Sequence, residues 1–177
     1  MTLEQKIKST IRDVPDFPKE GILFKDITTI LKDARLCSEI IDGFIGELKG
    51  IKIDAIVSTE SRGFFFGMLL ANKMKLPLIP LRKPGKLPYK TISQEYDLEY
   101  GTATVEMHID AIEKGWNVLI HDDLLATGGT AEASAKLILK QNAHVAGFAF
   151  LLELDFLKGR KKLETYSKNI ISLVRYE

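Results

Sequence analysis

One stretch, Val118-Leu119-Ile120-His121-Asp122-Asp123-Leu124-Leu125-Ala126-Thr127-Gly128-Gly129-Thr130, joins an apolar run, two adjacent acids and a Thr/Gly turn. Glycines at 128 and 129 let a backbone turn with its amides converging, and Thr127 and Thr130 add hydroxyls. A helix starting there would present free N–H groups and the positive end of its dipole, so the turn suits a phosphate monoester. Asp122 and Asp123, just upstream at a strand's carboxyl end, would repel phosphate but can accept hydrogen bonds from a neighbouring vicinal diol. A sugar phosphate satisfies both halves. A Thr-Gly-Gly-Thr turn can also be no more than a helix entry; the paired acids favour the ligand. The turn lacks the lysine of G-x-x-x-x-G-K-[ST] and the spacing of G-x-G-x-x-G, which argues against triphosphate and dinucleotide binding. His121-Asp122-Asp123 is not read as a metal triad, because successive strand residues face opposite ways.

The elements that must hold this stretch can be read on both sides of it. Thr2 and Gln5 form a capping box for a short first helix that Pro15 and Pro18 end, making residues 1–32 a small N-terminal appendage. From Asp33, Leu36, Cys37, Ile40, Ile41, Phe44, Ile45 and Leu48 recur at helical spacing up to Gly50. A strand is expected over Ile53 to Ser58, a helix over Gly63 to Met74 and a strand over Leu78 to Leu81, with Pro80 out of keeping with a sheet interior. The unit repeats as strand Trp116 to His121, helix Thr130 to Asn142 and strand Val145 to Leu152, with Ile170 to Val174 as a closing strand. The expected fold is α/β: a doubly wound, mostly parallel sheet flanked by helices. Residues 83–100, rich in polar side chains and holding Pro84, Gly85 and Pro88, read as a mobile flap leading into a half-buried strand over Thr102 to Ile109.

At 177 residues and 45% hydrophobic side chains, the chain is expected to fold as one domain over 1–177. The longest apolar stretches, Phe64 to Ala71 and Val145 to Leu152, are eight residues each, against roughly 20 for a bilayer span, so no membrane association is expected. The opening residues lack the pattern of a secretory signal, which makes cytoplasm the expected address. Cys37, the single cysteine, cannot form an internal disulfide and reads as a small buried hydrophobe. A net charge of +1 calls for no nucleic-acid partner.

Two adjacent acids followed by a Thr/Gly phosphate loop resemble the ribosyl-phosphate signature of the type I phosphoribosyltransferases. Phe17 to Ile27, Glu60-Ser61-Arg62-Gly63-Phe64, Arg82-Lys83-Pro84-Gly85-Lys86-Leu87-Pro88, Leu98-Glu99-Tyr100-Gly101 and Asp122 to Thr130 resemble the adenine-specific branch of that family, in its order and over nearly the whole chain. The resemblance implies transfer of the ribosyl phosphate of phosphoribosyl diphosphate to adenine, giving AMP and pyrophosphate. Mg²⁺ would be held through the substrate's diphosphate, with no direct protein ligand. It implies that Asp122, Asp123 and the loop Ala126, Thr127, Gly128, Gly129 and Thr130 hold the ribose and its 5-phosphate. Ser61, Arg62, Arg82, Lys83 and Lys86 would hold the diphosphate, whose departure needs cations. Glu99 would be the flap-borne catalytic carboxyl on the imidazole part of adenine, and Tyr100 would stack over the closed site or pack at a strand start. Leu23, Phe24, Lys25 and Leu124 would receive the base, the appendage contributing the first three.

Three residues depart from the family's usual pattern: His121 replaces an aliphatic residue, Lys25 an arginine and Tyr89 a smaller residue. The resemblance also implies a homodimer, and Phe64-Phe65-Phe66 carries more aromatic surface than one helix face easily buries. A transferase for another purine base, or a regulator that binds phosphoribosyl diphosphate without turnover, are the alternatives. The second predicts a nucleic-acid domain or basic face that the sequence lacks.

Overall fold

The computed structural model describes residues 1–98 and 101–177. Five parallel strands form the central sheet in the order β4-β3-β7-β8-β9. These are β3 (Ala55–Thr59), β4 (Leu78–Leu81), β7 (Asn117–Leu125), β8 (His144–Leu154) and β9 (Ile170–Tyr176). The chain runs from β3 outward to β4, returns past β3 to β7 and continues to β8 and β9, so the winding reverses between β3 and β7. Adjacent loops diverge there at the strands' carboxyl ends and leave a crevice.

Strand periodicity divides the core. Val57, Val118, Ile120, Phe148 and Phe150 lie in one buried cluster, covered by helix α4 (Gly129–Lys140). Ile56, Leu119, Ala149 and Leu151 lie in the other, under α1 (Leu3–Thr10), α2 (Ala34–Glu47) and α3 (Gly63–Met74). Strands buried on both faces read as continuous apolar runs. The capping box is present: Thr2 Oγ1 accepts from the Gln5 amide at 3.2 Å and the Gln5 side chain accepts from the Thr2 amide at 2.9 Å. Pro80 is tolerated because β4 is an edge strand paired only with β3. Cys37 is buried, its Sγ 3.5 Å from the Ile30 carbonyl oxygen, and burial raises its thiol pKa.

Two expectations are corrected. Part of the expected flap at 83–100 is a strand, β5 (Thr91–Asp97), paired antiparallel with β6 (Thr102–His108). The turn-forming residues end at Pro88, and Ile92 and Tyr96 then pack on the core cluster, which a polar-looking segment hides. The expected strand to His121 continues to Leu125, because its ladder with β8 extends through Asp122↔Phe150 and Leu124↔Leu152, so both acids are strand residues. The appendage holds a hairpin of β1 (Arg12–Pro15) and β2 (Leu23–Asp26) and a 3-10 helix, Ile27–Lys32; a short α5 (Arg160–Leu163) precedes β9.

Candidate active site

The crevice at the β3/β7 switch is a cavity of about 310 Å³ lined by Thr59, Glu60, Ser61, Arg62, Lys83, Tyr96, Val105, Asp122, Asp123, Leu124 and Thr130. Beside it a smaller hollow of about 70 Å³ is formed by Asp122 and the run Leu124 to Ala131. Seven of the residues expected from sequence (Ser61, Arg62, Lys83, Asp122, Asp123, Leu124 and Thr130) therefore meet in one space, and Ala126 to Gly129 adjoin it. Glu99 and Tyr100 lie outside the described residues.

The phosphate-type loop is built as its residues dictate. Gly128 sits at φ +80°, a conformation costly for any residue with a Cβ, and caps the start of α4. With no side-chain cap, the first amides of α4 stay available beside Thr130. The two acids differ in setting. Burial and the neighbouring Asp123 carboxylate push the Asp122 carboxyl well above the usual carboxylate range. Asp122 Oδ1 accepts from the Asp123 amide at 2.8 Å, while Asp123 Oδ2 accepts from Arg62 Nε at 2.5 Å. The Arg62 guanidinium also lies 4.9 Å from the centre of the Phe24 ring, a cation–π contact tying Asp123 through Arg62 to the appendage.

Arg82 and Lys86 stand beside the cleft, on a residue the sequence reasoning left unassigned. Glu60 accepts from Arg82 Nε at 2.8 Å and from Lys86 Nζ at 3.0 Å. Burial alone would raise the Glu60 pKa, but these hydrogen bonds outweigh it and hold the carboxyl below its usual value. The signal in the sequence is Glu60-Ser61-Arg62, since an acid among cations fixes where they stand. The Glu60–Ser61 peptide is cis. Buried Glu106 accepts from the Gly85 amide at 2.9 Å and from Thr91 Oγ1 at 3.1 Å, fixing both ends of the segment that leads into β5. Tyr96 and Val105 also escaped the sequence reasoning, because the fold, not their spacing, brings β5 and β6 to the cleft.

On β2, Phe24 packs edge-on against Phe17 at 5.0 Å, and Leu23 is half exposed. The Lys25 side chain is engaged elsewhere: Nζ lies 2.7 Å from Asp13 Oδ1 and 4.5 Å from the centre of the Tyr176 ring. His121 lies beneath the acids with no exposed surface, edge-on to Phe44 at 5.4 Å.

The chain's residues 25–175 match the family model described as the phosphoribosyl transferase domain. An adenine phosphoribosyltransferase of Cytophaga hutchinsonii is 55% identical over 98% of this chain and 96% of its own. The chain belongs to the adenine phosphoribosyltransferase family. In structure it resembles the adenine phosphoribosyltransferase of Thermoanaerobacter pseudethanolicus with a TM-score of 0.95 and 52% identity, covering 99% of this chain and 100% of that one. It also resembles the Saccharomyces cerevisiae enzyme, solved with adenine and an imino-altritol bisphosphate, with a TM-score of 0.90 and 40% identity, covering 97% and 98%. The five-stranded parallel sheet with flanking helices is this family's fold. Among the described residues, no three carboxylate, imidazole or thiolate side chains converge to cage a metal ion, and no helix is long and apolar enough to cross a membrane.

Proposed function

We infer that this chain transfers the 5-phosphoribosyl group of phosphoribosyl diphosphate to adenine, forming AMP and pyrophosphate, as an enzyme of purine salvage. The observation that carries the reading is the single cleft in which Ser61, Arg62 and Lys83 face Asp122, Asp123 and Thr130, in a chain 55% identical to a named adenine phosphoribosyltransferase. In this reading the diol of the ribose lies against Asp122 and Asp123, and the 5-phosphate enters the hollow at Ala126, Thr127, Gly128, Gly129 and Thr130. The diphosphate lies toward Ser61, Arg62 and Lys83, with Arg82 and Lys86 behind them on Glu60. Asp123 is held by Arg62, so a diol that takes Asp123 as acceptor releases the guanidinium toward the leaving group.

Breaking the bond from the anomeric carbon to diphosphate leaves positive charge on the ribosyl centre and negative charge on the departing oxygens, which these cations stabilise. An imidazole nitrogen of adenine forms the new bond and the purine then loses a proton. Glu99 is proposed to hold the other imidazole nitrogen, with Tyr100 over the closed site, while the flap excludes water from the electrophilic carbon. Phe24 and Leu124 would sandwich the ring, with the backbone of Leu23 and Lys25 reading its edge.

The donor set bears on Mg²⁺. Glu60 is neutralised by two cations and Asp123 by Arg62, so these carboxylates fit a cation that arrives on the substrate's diphosphate rather than one caged by protein. Bound there, Mg²⁺ would screen the charge of the leaving group.

A homodimer is also proposed. Phe65, Met68 and Leu69 form a half-exposed apolar face on α3, continuous at Leu69 with a groove of about 490 Å³ that Leu31, Cys37 and Ile41 help line. The cytoplasm is the proposed location.

The test is competition: incubate the protein with phosphoribosyl diphosphate, Mg²⁺ and equimolar adenine, hypoxanthine, guanine and xanthine, then separate the nucleotides formed. AMP alone is expected. Another monophosphate would overturn the base assignment, and ligand binding without any nucleotide would point to a regulator.

A further inference from the structure

Tyr96 is the one tyrosine lining the cleft among the described residues, and no role in phosphoribosyl transfer has so far been given to it. It stands on β5, opposite Ala103 of β6, and reaches across to the start of α4. Thr130 Oγ1 donates to the Tyr96 hydroxyl at 3.1 Å. The ring lies on Gly129, where a Cβ would come within 3.1 Å of Tyr96 Cδ2 and 3.3 Å of the Asp97 carbonyl oxygen. A second tie, from Lys140 Nζ to the Ser93 carbonyl oxygen at 3.3 Å, holds the same strand on the same helix. The lack of a side chain at 129 leaves room for this close approach of β5 to the loop.

A phenolic hydroxyl has one proton to give and two lone pairs to receive. With Thr130 donating to it, the Tyr96 proton remains for a further acceptor, and Thr130 lines both the cleft that holds Tyr96 and the adjoining hollow in which the 5-phosphate is placed. We propose that Tyr96 is a phosphate-site residue carried on β5: its hydroxyl donates to the 5-phosphate of the ribosyl substrate and docks the strand leading to Glu99 onto the loaded loop. This rests on the phosphoribosyltransferase reading. The amides at the start of α4 supply donors from below, and Tyr96 supplies one from above. Glu99 follows three residues later in the chain, so phosphate occupancy and the placement of the strand that precedes that acid become linked.

Tyr96→Phe in the full chain tests this, since it keeps the ring on Gly129 and removes only the hydroxyl. Ribose 5-phosphate and pyrophosphate are titrated separately by calorimetry, and kcat and KM are measured for phosphoribosyl diphosphate and adenine. A hydrogen bond to a charged group implies that the Kd for ribose 5-phosphate and the KM for phosphoribosyl diphosphate rise about tenfold. Pyrophosphate affinity, the KM for adenine and the melting temperature stay unchanged. Unaltered ribose 5-phosphate affinity, or an equal loss of pyrophosphate affinity, overturns the proposal. If the wild type binds ribose 5-phosphate yet forms no AMP, the transferase reading falls, while the binding comparison still decides the role of Tyr96.

Discussion

Replacing His121 by leucine should stabilise this protein, by an amount that grows as the pH falls. The ring has no exposed surface, and neither of its nitrogens has a hydrogen-bond partner among the described residues. Burial lowers its pKa from 6.5 to about 4, against the opposing pull of the Asp123 carboxylate and the Ala149 backbone. An unpaired buried polar group costs about 1–3 kcal/mol, whereas a volume-conserving apolar exchange costs less than about 1.5 kcal/mol. Near pH 7.5 the variant should therefore gain about 1 kcal/mol, or roughly 2–4 °C in melting temperature for a chain of this size.

Acid adds a second term with a definite sign. The folded-state pKa is depressed, so between the unfolded value and about 4 the unfolded chain binds a proton that the folded chain refuses. Wild-type stability from this group is intact above about pH 6.5 and declines as pH falls toward 4. At about pH 4.5 it has lost about 2.5 kcal/mol, taking 1.36 kcal/mol per pKa unit. The variant has no such term. Urea unfolding of both proteins at a series of pH values measures the difference, since the carboxylates remote from the ring contribute equally to both. A variant less stable than wild type at neutral pH would refute the reasoning. It would mean that the imidazole is hydrogen-bonded internally, with the Ala149 backbone, which already favours the charged ring, as the candidate partner. A stability difference that does not change with pH would refute the titration argument alone.

Three further outcomes are expected. Glu99→Gln should lower kcat by about 10²–10⁴-fold while leaving ribose 5-phosphate affinity near wild type, and near-normal turnover would remove Glu99 from proton handling. Arg160→Ala leaves the almost fully buried Glu153 without its two-pronged partner, at 2.9 and 2.5 Å, and should cost about 3–5 kcal/mol in denaturant unfolding; a loss under about 1 kcal/mol would mean that Ser172 and Arg175 suffice. Light scattering should give twice the chain mass for the wild type and a reduced mass for Phe65→Glu, which puts a charge on the exposed face of α3; a monomeric wild type at micromolar concentration would sink the dimer.

Residue type and local periodicity were sufficient for much of this molecule. The capping box at Thr2 and Gln5, the helix Gly63–Met74, the edge strand Leu78–Leu81 and the acid pair leading into the Thr/Gly loop depend on interactions a few residues apart or on a continuous apolar run, and these are written along the chain. A turn of this kind is made of glycines and short hydroxyl side chains, so its geometry is legible from composition alone. Tertiary structure decided what depends on residues distant in sequence. The strand within the flap became visible only through its ladder with β6, and the acids proved to be strand residues only because β8 extends beside them. Arg82 and Lys86 are positioned by Glu60, Arg62 is shared between Asp123 and Phe24, and Tyr96 meets Thr130 across 34 positions. Lys25 turns to Asp13 and Tyr176, which only the folding of β1, β2 and β9 onto one another places within its reach. In each case a charge or hydroxyl had several chemically equivalent partners in the sequence, and the choice among them was made by the sheet order and the packing on its two faces.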